Sequence, residues 1–364
     1  MDEDVNRTNL NKAKLSKVSI VILNWNGWKD TIECLECIFR IKYPNYQVIV
    51  VDNGSDNDSF ERIKAWAEGR QEVLTPEPTH PLYPLSHPPV QKPIPYIEYD
   101  RNTAEAGGLP EREKLLSDKL PKSIPHPMIL IETGENLGFA GGNNVGIKYV
   151  MKKGGCDYIL LLNNDTVVED DFLEPLLESA NENPKVGVVG GKINYFSNPN
   201  RIWFAGGKFS LCKAKAYHIG VNKLDDGKYR GERRTTFVTG CLMLINIKVL
   251  QTIGLIDENY FLYFEDLDFC YRAIKFGWQL KVNLSSKIFH KVGKSQRYNE
   301  DISAVEVYYS TKSRLYFAYK YLNPFQRFIF YIYFLLGRCI RLIQWEIEGR
   351  KDLAASVIKA MLGK

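Results

Sequence analysis

Short apolar runs alternate with amphipathic stretches over the first half of the chain. Each apolar run is typical of a buried strand, and the segments that follow have the apolar spacing of helices. Because strand and helix alternate, we predict an α/β fold with a mostly parallel sheet covered by helices on both faces. The predicted strands are 18–25, 46–52, 128–132 and 158–162.

The second half of the chain has shorter and less regular apolar runs. They predict a further set of strands followed by a helix and a final strand. The predicted strands are 186–193, 202–209, 237–245 and 279–282, and the predicted helix is 266–276.

The pattern from residue 303 onward is helical and rich in aromatic residues. Its longest apolar run, 328–336, is flanked by Arg327, Arg338 and Arg341. Nine residues are too few to cross a bilayer, so we predict an amphipathic helix in the membrane interface, with its arginines extended towards lipid phosphates. A core helix packed on the rest of the protein is the alternative.

Residues 75–127 interrupt the alternation. They hold twelve of the seventeen prolines, so we expect little regular structure there apart from a helix over 111–120. The insertion would be a lid, a partner surface or a spacer. The predicted organisation is a polar segment 1–17, an α/β domain 18–300 that contains the insertion, and a helical region 301–364.

The net charge of +5 is concentrated at one end of the chain. Residues 310–364 hold ten Lys or Arg and three acids, a charge of +7, which leaves −2 for the rest. No nucleic-acid partner is expected, because the body lacks a basic aromatic surface, whereas the tail suits an anionic membrane. Seven irregularly spaced cysteines indicate reduced thiols, and the N-terminus has no apolar signal segment. We therefore expect a cytoplasmic protein, peripheral on the inner face of the plasma membrane.

Polar residues follow three of the predicted strands. Asn24, Asp52 and Asp165 all fall where ligands bind in parallel sheets, beyond the carboxyl ends of the strands. Asp52 can accept a hydrogen bond from the imide N–H of uracil or thymine, and Asn53 and Gly54 form a turn that lets the backbone approach a nucleoside. The same residues are also a common turn signal.

A glycine-rich segment, 135–144, opens the helix after the third strand. With Gly138, Gly141 and Gly142, the free N–H groups at this helix start would face a phosphate or a ribose, and Asn143 lies in the same segment. The glycine spacing differs from that of dinucleotide-binding enzymes. A purely structural turn is the alternative.

The segment Asn163-Asn164-Asp165 places one carboxylate at a strand end. A carboxylate there is a natural ligand for the divalent cation that neutralises a leaving diphosphate. His290 would complete the coordination, and an imidazole ligand favours Mn²⁺ over Mg²⁺. A lone histidine is otherwise often structural.

Glu265 and Asp266 open a predicted helix among aromatic residues that shield them from water. A shielded carboxylate suits a general base. Acids in a first helical turn are also common for stability alone.

In their order along the chain these motifs resemble those of the inverting family 2 glycosyltransferases, most closely the branch with rhamnosyltransferases and galactofuranosyltransferases. The resemblance covers about 17–293 apart from the proline-rich insertion. The segments that carry it are 18–27, 51–55, 136–140, 163–165, 239–241 and 264–268.

The resemblance implies a GT-A fold and transfer of a sugar from a UDP- or dTDP-sugar with inversion, in which Asp266 deprotonates the acceptor hydroxyl. A divalent metal, Mn²⁺ or Mg²⁺, would be bound by Asp165 and His290. Many relatives have Asp where this chain has Asn163, which puts the metal dependence in doubt. The remaining roles would be nucleotide-sugar binding by Asn24, Asp52, Asn53, Gly138, Asn143, Asn163 and Asn164, and acceptor orientation or helix support by Glu265 and Asp268.

The basic, aromatic tail adds a lipid-linked saccharide acceptor to this expectation, as in polysaccharide or cell-wall assembly. Two other functions stay open. A sugar-phosphate nucleotidyltransferase should have a glycine-rich basic loop after the first strand, where this chain has Asn24-Trp25-Asn26-Gly27. A catalytically inactive, membrane-attached nucleotide-sugar-binding protein would not need Asp266.

Overall fold

The computed structural model describes residues 15–74, 76–120, 124–292 and 303–363. The first fourteen residues and the predicted boundary near 300 lie outside these ranges. The strands are β1 (Val18–Asn24), β2 (Tyr46–Asp52), β3 (Tyr96–Asp100), β4 (Met128–Glu132), β5 (Tyr158–Asn163), β6 (Thr166–Val168), β7 (Val186–Tyr195), β8 (Ile202–Phe204), β9 (Gly207–Ser210), β10 (Lys215–His218), β11 (Glu232–Thr235), β12 (Leu242–Asn246) and β13 (Gln279–His290). The helices are α1 (Trp28–Ile38), α2 (Ser59–Ala67), α3 (Tyr83–Ser86), α4 (Arg101–Glu105), α5 (Pro110–Ser117), α6 (Gly138–Lys153), α7 (Leu173–Asn181), α8 (Ile247–Ile253), α9 (Glu265–Lys275), α10 (Ala304–Tyr321), α11 (Pro324–Ile347) and α12 (Lys351–Leu362).

An eleven-stranded sheet forms the centre of the protein. Its order is β11–β13–β7–β12–β5–β1–β2–β4–β3, with β6 beside β13 and β8 beside β7. The five strands from β5 to β3 are parallel, and β12 is antiparallel to both β5 and β7. The predicted α/β architecture is confirmed, and β9 and β10 form a separate ribbon.

Helix α6 lies close against the parallel strands because its inner face is made of glycine. A Cβ atom at Gly142 would be 2.5 Å from Leu23 Cδ1, and one at Gly146 would be 2.7 Å from Val21 Cγ1. From β1 the chain passes through β2 to the edge strand β3 and then to β4, all on one side of β1. Helix α6 then carries it to β5 on the other side of β1. Such a reversal opens a crevice at the carboxyl ends of the strands beside it.

Three predicted strands differ from the observed ones. The predicted strand 202–209 is interrupted at Gly206, whose φ of +97° turns the chain between β8 and β9. The predicted strand 237–245 begins only at Leu242, because residues 239–241 form a loop. The predicted strand 279–282 is the start of a twelve-residue strand that reaches His290.

The expectation that regular structure in the proline-rich insertion is confined to a helix over 111–120 is wrong, although most of the insertion is irregular. The insertion contains β3, which pairs in parallel with β4 and extends the sheet, and three short helices. Residues of β3 alternate, with Ile97 and Tyr99 buried. The Tyr99 hydroxyl donates to Glu113 Oε1 of α5 at 2.9 Å, so the predicted helix in this region is attached to the new strand.

The first part of the insertion is anchored on α1 by a buried carboxylate. Glu36 is fully buried and accepts hydrogen bonds from Trp66 Nε1 at 2.8 Å, the Val90 backbone N–H at 2.7 Å and Lys92 Nζ at 2.8 Å. Two of these three donors come from the insertion. It is therefore an integral part of the α/β domain.

Helix α10 is joined to the α/β domain by polar contacts, whereas α11 is largely exposed. Only Phe330, Phe334 and Trp345 of α11 are buried, so α11 is not a core helix. The apolar run 328–336 is the middle of a 24-residue helix, about 36 Å long at 1.5 Å per residue. Among the described residues α11 is the one helix whose length and composition would allow it to cross a membrane.

Candidate functional site

The carboxyl ends of the parallel strands bring polar residues into one row. Asn24 and Asp52 occupy matching positions on β1 and β2, and Asn24 Nδ2 donates to Asp52 Oδ2 at 2.6 Å. The Ser55 backbone N–H donates to Asp52 Oδ1 at 3.0 Å, and the Ser55 hydroxyl donates to Asp52 Oδ2 at 2.8 Å. Asn24 and Asp52 are both buried, so in this structure their side chains hold the loop after β2 in place.

The turn after β2 and the segment before α6 hold each other in place. Asn53 Nδ2 donates to Asn136 Oδ1 at 3.0 Å and to the Gly138 carbonyl at 3.1 Å, and Asn53 Oδ1 accepts from the Leu137 backbone N–H at 3.1 Å. Gly138 has φ +72°, and a Cβ there would be 2.3 Å from the Phe261 carbonyl oxygen. Gly138 thus allows the second half of the protein to close over the start of α6.

We expect Gly54→Ala to destabilise the protein more than Gly155→Ala. Both glycines have a positive φ, +67° and +71°, but a Cβ at Gly54 would be 2.4 Å from the Glu135 carbonyl carbon, whereas nothing lies within 4 Å at Gly155. The left-handed conformation costs both variants about 1–2 kcal/mol, and the clash should cost Gly54→Ala at least about 1 kcal/mol more. Urea unfolding of the two variants measures this difference. Equal destabilisation would contradict the close approach.

A cavity of about 260 Å³ opens at this edge of the sheet. Asn163 and Asn164, at the end of β5, line it together with residues from the first strand, the start of α6 and the segment before α9. Asn164 Nδ2 donates to Thr31 Oγ1 at 2.9 Å. The other lining residues are Leu23, Trp25, Asn53, Asn136, Gly138, Phe139, Phe261, Leu262 and Val305.

Three predicted nucleotide-sugar residues, Asn24, Asp52 and Asn143, do not line this cavity. Asn143 is buried in the second turn of α6, and its Nδ2 donates to the Phe139 carbonyl of the preceding turn at 2.9 Å. Its observed contact is structural. The adjacent Asn144 likewise bonds to the Ile256 carbonyl.

The pairing of β6 with β13 brings Asp165 and His290 together. His290 lies opposite Thr166 in this antiparallel pair, and the Lys291 backbone N–H donates to the Asp165 carbonyl at 2.9 Å. His290 Nε2 is 3.1 Å from Asp165 Oδ1. Burial lowers the pKa of His290, but Asp165 and Cys241 outweigh burial and raise it well above its usual value. Burial raises the pKa of Asp165, and the charge of His290 reverses this and lowers it.

These two side chains fit a divalent cation. Asp165 Oδ1 is buried and pairs with His290 Nε2 at 3.1 Å, and His290 Nδ1 is buried without a hydrogen-bond partner in the described part of the chain. Neighbouring ligands of an octahedral ion bound at 2.1 Å lie about 3 Å apart, close to the observed Nε2–Oδ1 distance. The described residues contain no cluster of three or more His, Cys, Asp or Glu side chains around a common point. Donor oxygens of a substrate would have to supply the remaining ligands.

Asp266 lies in the first turn of α9, next to the loop before β12. The Gly240 backbone N–H donates to Asp266 Oδ2 at 3.2 Å, and the Leu267 backbone N–H donates to Oδ1 at 2.7 Å. Burial raises the pKa of Asp266 to about 6, although these backbone donors act against it. Asp266 is therefore ionised at neutral pH and still basic enough to accept a proton.

Glu265, next to Asp266, is also buried and also has a raised pKa. It is 6% exposed, and its Oε2 has no hydrogen-bond partner within the described ranges. Burial and the charge of Asp266 raise the pKa of Glu265 well above its usual value. Burial and the charge of Asp266 therefore both disfavour ionisation of Glu265.

The backbone before α9 is strained. Tyr263 and Phe264 have φ values of +66° and +72°, a conformation that bulky residues rarely adopt. Such strain often occurs at functional sites. Here it turns the chain so that Glu265 and Asp266 begin the helix beside the cavity.

Asp268, predicted to orient the acceptor or hold the helix, is completely buried. Its Oδ2 accepts from Arg272 Nε at 2.6 Å, and its Oδ1 accepts from Lys320 Nζ at 2.7 Å and the Tyr321 hydroxyl at 2.6 Å. These contacts favour the second role, because they tie α9 to α10.

Cys241 is influenced by Asp165 and His290 as well as by Asp266. Its carbonyl accepts from the Asn163 backbone N–H at 3.1 Å. Burial raises the pKa of the Cys241 thiol, His290 lowers it, and both Asp165 and Asp266 raise it. The charges of the three residues on which the predicted chemistry depends therefore all act on one buried thiol.

Several residues at the site were not assigned from the sequence. Trp25 and Asn136 belong to the quoted motifs, and their position at a strand end or before a helix was the available signal. Phe261 and Val305 line the cavity without any such signal, because the fold alone brings them there.

The family profile of Glycosyl transferase family 2 matches residues 19–75 and 113–254, and the chain belongs to this family. The unmatched residues between the two parts fall in the proline-rich insertion. The resemblance predicted from the motifs is confirmed.

Curated relatives from archaea and bacteria are similar to part of the chain. The low-salt glycan biosynthesis hexosyltransferase Agl10 of Haloferax volcanii is 28% identical over 144 residues, 39% of this chain and 45% of that protein. The dTDP-rhamnosyl transferase RfbF of Shigella flexneri is 24% identical over 169 residues, 45% and 52%. The N-acetylglucosaminyl-diphospho-decaprenol L-rhamnosyltransferase of Mycobacterium tuberculosis is 24% identical over 183 residues, 44% and 58%. The chain thus spans about half the length of these relatives.

Among solved structures, the mannosyltransferase PcManGT from Pyrobaculum calidifontis in complex with GDP-Man and Mn²⁺ aligns with a TM-score of 0.48 at 13% identity. The alignment covers 95% of this chain and 86% of that one.

Proposed function

We propose that this protein transfers a rhamnose-like or galactofuranose-like sugar from a UDP- or dTDP-sugar to a hydroxyl of a lipid-linked saccharide, with inversion. The observation that carries the proposal is the position of Asp266. Its carboxylate is joined through Gly240 and Cys241 to the strand end that carries Asn163, Asn164 and Asp165. The names of two relatives, a dTDP-rhamnosyl transferase and a rhamnosyltransferase of a decaprenol-linked sugar, support the choice of donor and acceptor.

The reaction is a single displacement. Asp266 accepts the proton of the acceptor hydroxyl, and the hydroxyl oxygen forms a bond to the anomeric carbon as the bond from that carbon to the nucleoside diphosphate breaks. Attack opposite the leaving group inverts the configuration. Asn163 and Asn164 line the cavity, where their amides would bind the ribose or diphosphate.

Asp165 and His290 would hold the divalent cation, Mn²⁺ or Mg²⁺. A cation bound there would neutralise the charge that develops on the leaving diphosphate. Asn163 is neutral where many relatives have Asp, so the site has few charges, and the donor diphosphate would contribute to binding the ion.

Asp165→Asn is expected to weaken Mn²⁺ binding in the presence of nucleoside diphosphate by at least about 10-fold, the lower end of the loss seen even for outer-shell partners. Titration calorimetry measures this change without sugar transfer. Asp171→Asn, an exposed acid nearby, is the matched control and should bind Mn²⁺ like the unchanged protein. Equal affinity of Asp165→Asn and the control would remove Asp165 from the metal site.

We further propose that α11 lies in the interface of the cytoplasmic face of the plasma membrane. Phe328 and Leu336 are each 63% exposed, although both are large and apolar. A membrane-crossing orientation would place Arg338 near the bilayer centre, which costs about 2.5–3.5 kcal/mol. In the interface its guanidinium reaches the lipid phosphates.

Leu336→Glu is expected to reduce partition onto anionic vesicles by about 10-fold or more, because burying a leucine contributes about 1.5–3 kcal/mol. Leu115→Glu is the control, since Leu115 is 64% exposed on the α/β domain. Vesicle sedimentation compares the two variants, and an equal effect of both would contradict the role of α11.

The function is tested by a screen of donor hydrolysis and transfer. We expect the protein to consume a UDP- or dTDP-sugar in preference to GDP-sugars in the presence of Mn²⁺, and to glycosylate a diphosphate-linked lipid saccharide. Consumption of sugar phosphate and nucleoside triphosphate would instead favour the nucleotidyltransferase. Donor binding with neither reaction would favour the inactive binding protein.

A further inference from the structure

A group of basic side chains packs on aromatic rings of α11. The guanidinium carbons of Arg314 and Arg338 are 5.4 and 5.3 Å from the ring centroid of Phe334. Lys213 Nζ is 5.2 Å from the ring centroid of Tyr333, which Arg314 also contacts. We define the basic cluster as Lys213, Arg314, Arg338 and Arg341.

Within the described ranges the basic cluster has no carboxylate among the groups that shift the pKa of Arg314 and Arg338, which are burial, tyrosines and other arginines. Arg338 Nε is buried without a hydrogen-bond partner among the same residues. Burial lowers the pKa of Arg338 to about 10, and the charges of Arg314 and Arg341 contribute to this decrease. Like charges held this close favour binding of an anion.

The position of Arg314 is fixed before any ligand binds. Its Nε donates to the Ala214 carbonyl at 3.1 Å, and its Nη2 donates to the Lys213 carbonyl at 2.8 Å, both in the turn between β9 and β10. A pre-organised guanidinium is suited to phosphate oxygens, which it can bind through two parallel hydrogen bonds.

Helix α10, which carries Arg314, contacts the donor cavity and also lines a second, apolar cavity. On one side, the Ser313 hydroxyl donates to the carbonyl of Leu262, which lines the donor cavity, at 2.9 Å. On the other side, a cavity of about 390 Å³ is formed by α10, α11 and α12, and Phe334 is part of its wall. Phe334 therefore contacts two of the cations and also lines the apolar cavity.

We propose that the basic cluster binds the diphosphate of the lipid that carries the acceptor saccharide, and that the first units of its hydrocarbon chain occupy the apolar cavity. This assignment rests on the proposed function only in taking the acceptor to be lipid-linked. With the diphosphate bound in this way, the saccharide extends away from the membrane-facing α11 and towards the side of α10 that contacts the donor cavity.

The test compares three proteins of full length on vesicles of neutral phosphatidylcholine. One set of vesicles contains a polyprenyl diphosphate, and the other contains phosphatidylglycerol at the same total charge. The variant is Arg338→Gln with Arg341→Gln, and the control is Lys351→Gln with Lys359→Gln, two exposed residues of α12 with the same loss of charge.

We expect the unchanged protein and the control to bind the diphosphate vesicles about 10-fold or more tightly than the phosphatidylglycerol vesicles, and the arginine variant to lose this preference. Equal binding of the unchanged protein to both vesicles would overturn the proposal in favour of a general anionic surface. Equal loss in the control, or a preserved preference in the variant, would overturn it as well. Vesicle binding requires no sugar transfer, so absence of transfer by the unchanged protein is a separate failure, that of the proposed function.

Discussion

Asp266→Asn is expected to lower the rate of sugar transfer by about 10²- to 10⁴-fold, the usual contribution of a general base. Asparagine retains the size of the side chain and one oxygen, which can accept from the N–H of either Gly240 or Leu267, but it cannot accept the acceptor proton. Because Asp266 is proposed to act only on the acceptor, nucleotide-sugar affinity should stay within about threefold. Transfer is measured with saturating donor, and affinity by calorimetry.

Asp352→Asn separates general base catalysis from stabilisation of a helix end. Asp352 is also an acid in the first turn of a helix, α12, and its removal costs the same kind of charge–dipole interaction. This control should transfer sugar like the unchanged protein. An Asp266→Asn protein that transfers sugar at nearly the normal rate would exclude Asp266 as the base.

The same assay over a range of pH gives a second view of Asp266. Its pKa is raised to about 6 by burial, and the proton must be absent for the base to act. The transfer rate should therefore be constant above neutrality and fall about tenfold per pH unit once the pH is below the pKa. In Asp266→Asn the residual rate should lack this decrease.

Lys92→Met is expected to destabilise the protein by about 3 kcal/mol, because removal of one partner leaves a buried charge uncompensated. Lys92 Nζ is 2.8 Å from Glu36 Oε1, and the two side chains are 15% and 0% exposed. The Trp66 and Val90 donors and Arg40, 3.7 Å from Glu36 Oε2, remain in the variant. The value is therefore placed at the lower end of the range for buried pairs.

Two further variants make this test specific. Lys42→Met removes a pair with Asp170 whose side chains are 62% and 51% exposed, and it should cost less than about 1 kcal/mol. The double variant Glu36→Gln with Lys92→Met removes both charges and should recover part of the lost stability. Urea unfolding compares all three, and equal effects of Lys92→Met and Lys42→Met would show that the insertion is not anchored by this pair.

The fold was largely predictable from the sequence where local pattern determines structure. The buried strands β1, β2, β4 and β5 were recognised because apolar runs and the helices between them depend on near neighbours. The insertion was misjudged because its proline content concealed β3, an edge strand with only one partner. A strand at an edge needs fewer donors and tolerates nearby prolines.

The candidate site was predictable in its residue types but less so in its contacts. Asp165 and His290 meet because β6 pairs with β13, and Asp266 lies beside the same loop as Asn163. Asn143 and Asp268 were also singled out, yet their side chains are occupied by protein partners. The hydrogen-bond partners of a polar side chain on a helix depend on elements that are distant in the sequence.

The sequence by itself determined the α/β class, the family and the strand ends at which Asn24, Asp52 and Asp165 are located, because these follow from periodicity and from short motifs. Only the tertiary structure decided that Glu36 anchors the insertion across 56 residues, that Asp268 joins α10 across 53 residues, and that Arg314 and Arg338 share one aromatic ring. The physical reason is that a buried charge or a cluster of cations is defined by the partners that folding brings to it. No local pattern of apolar and polar residues specifies those partners.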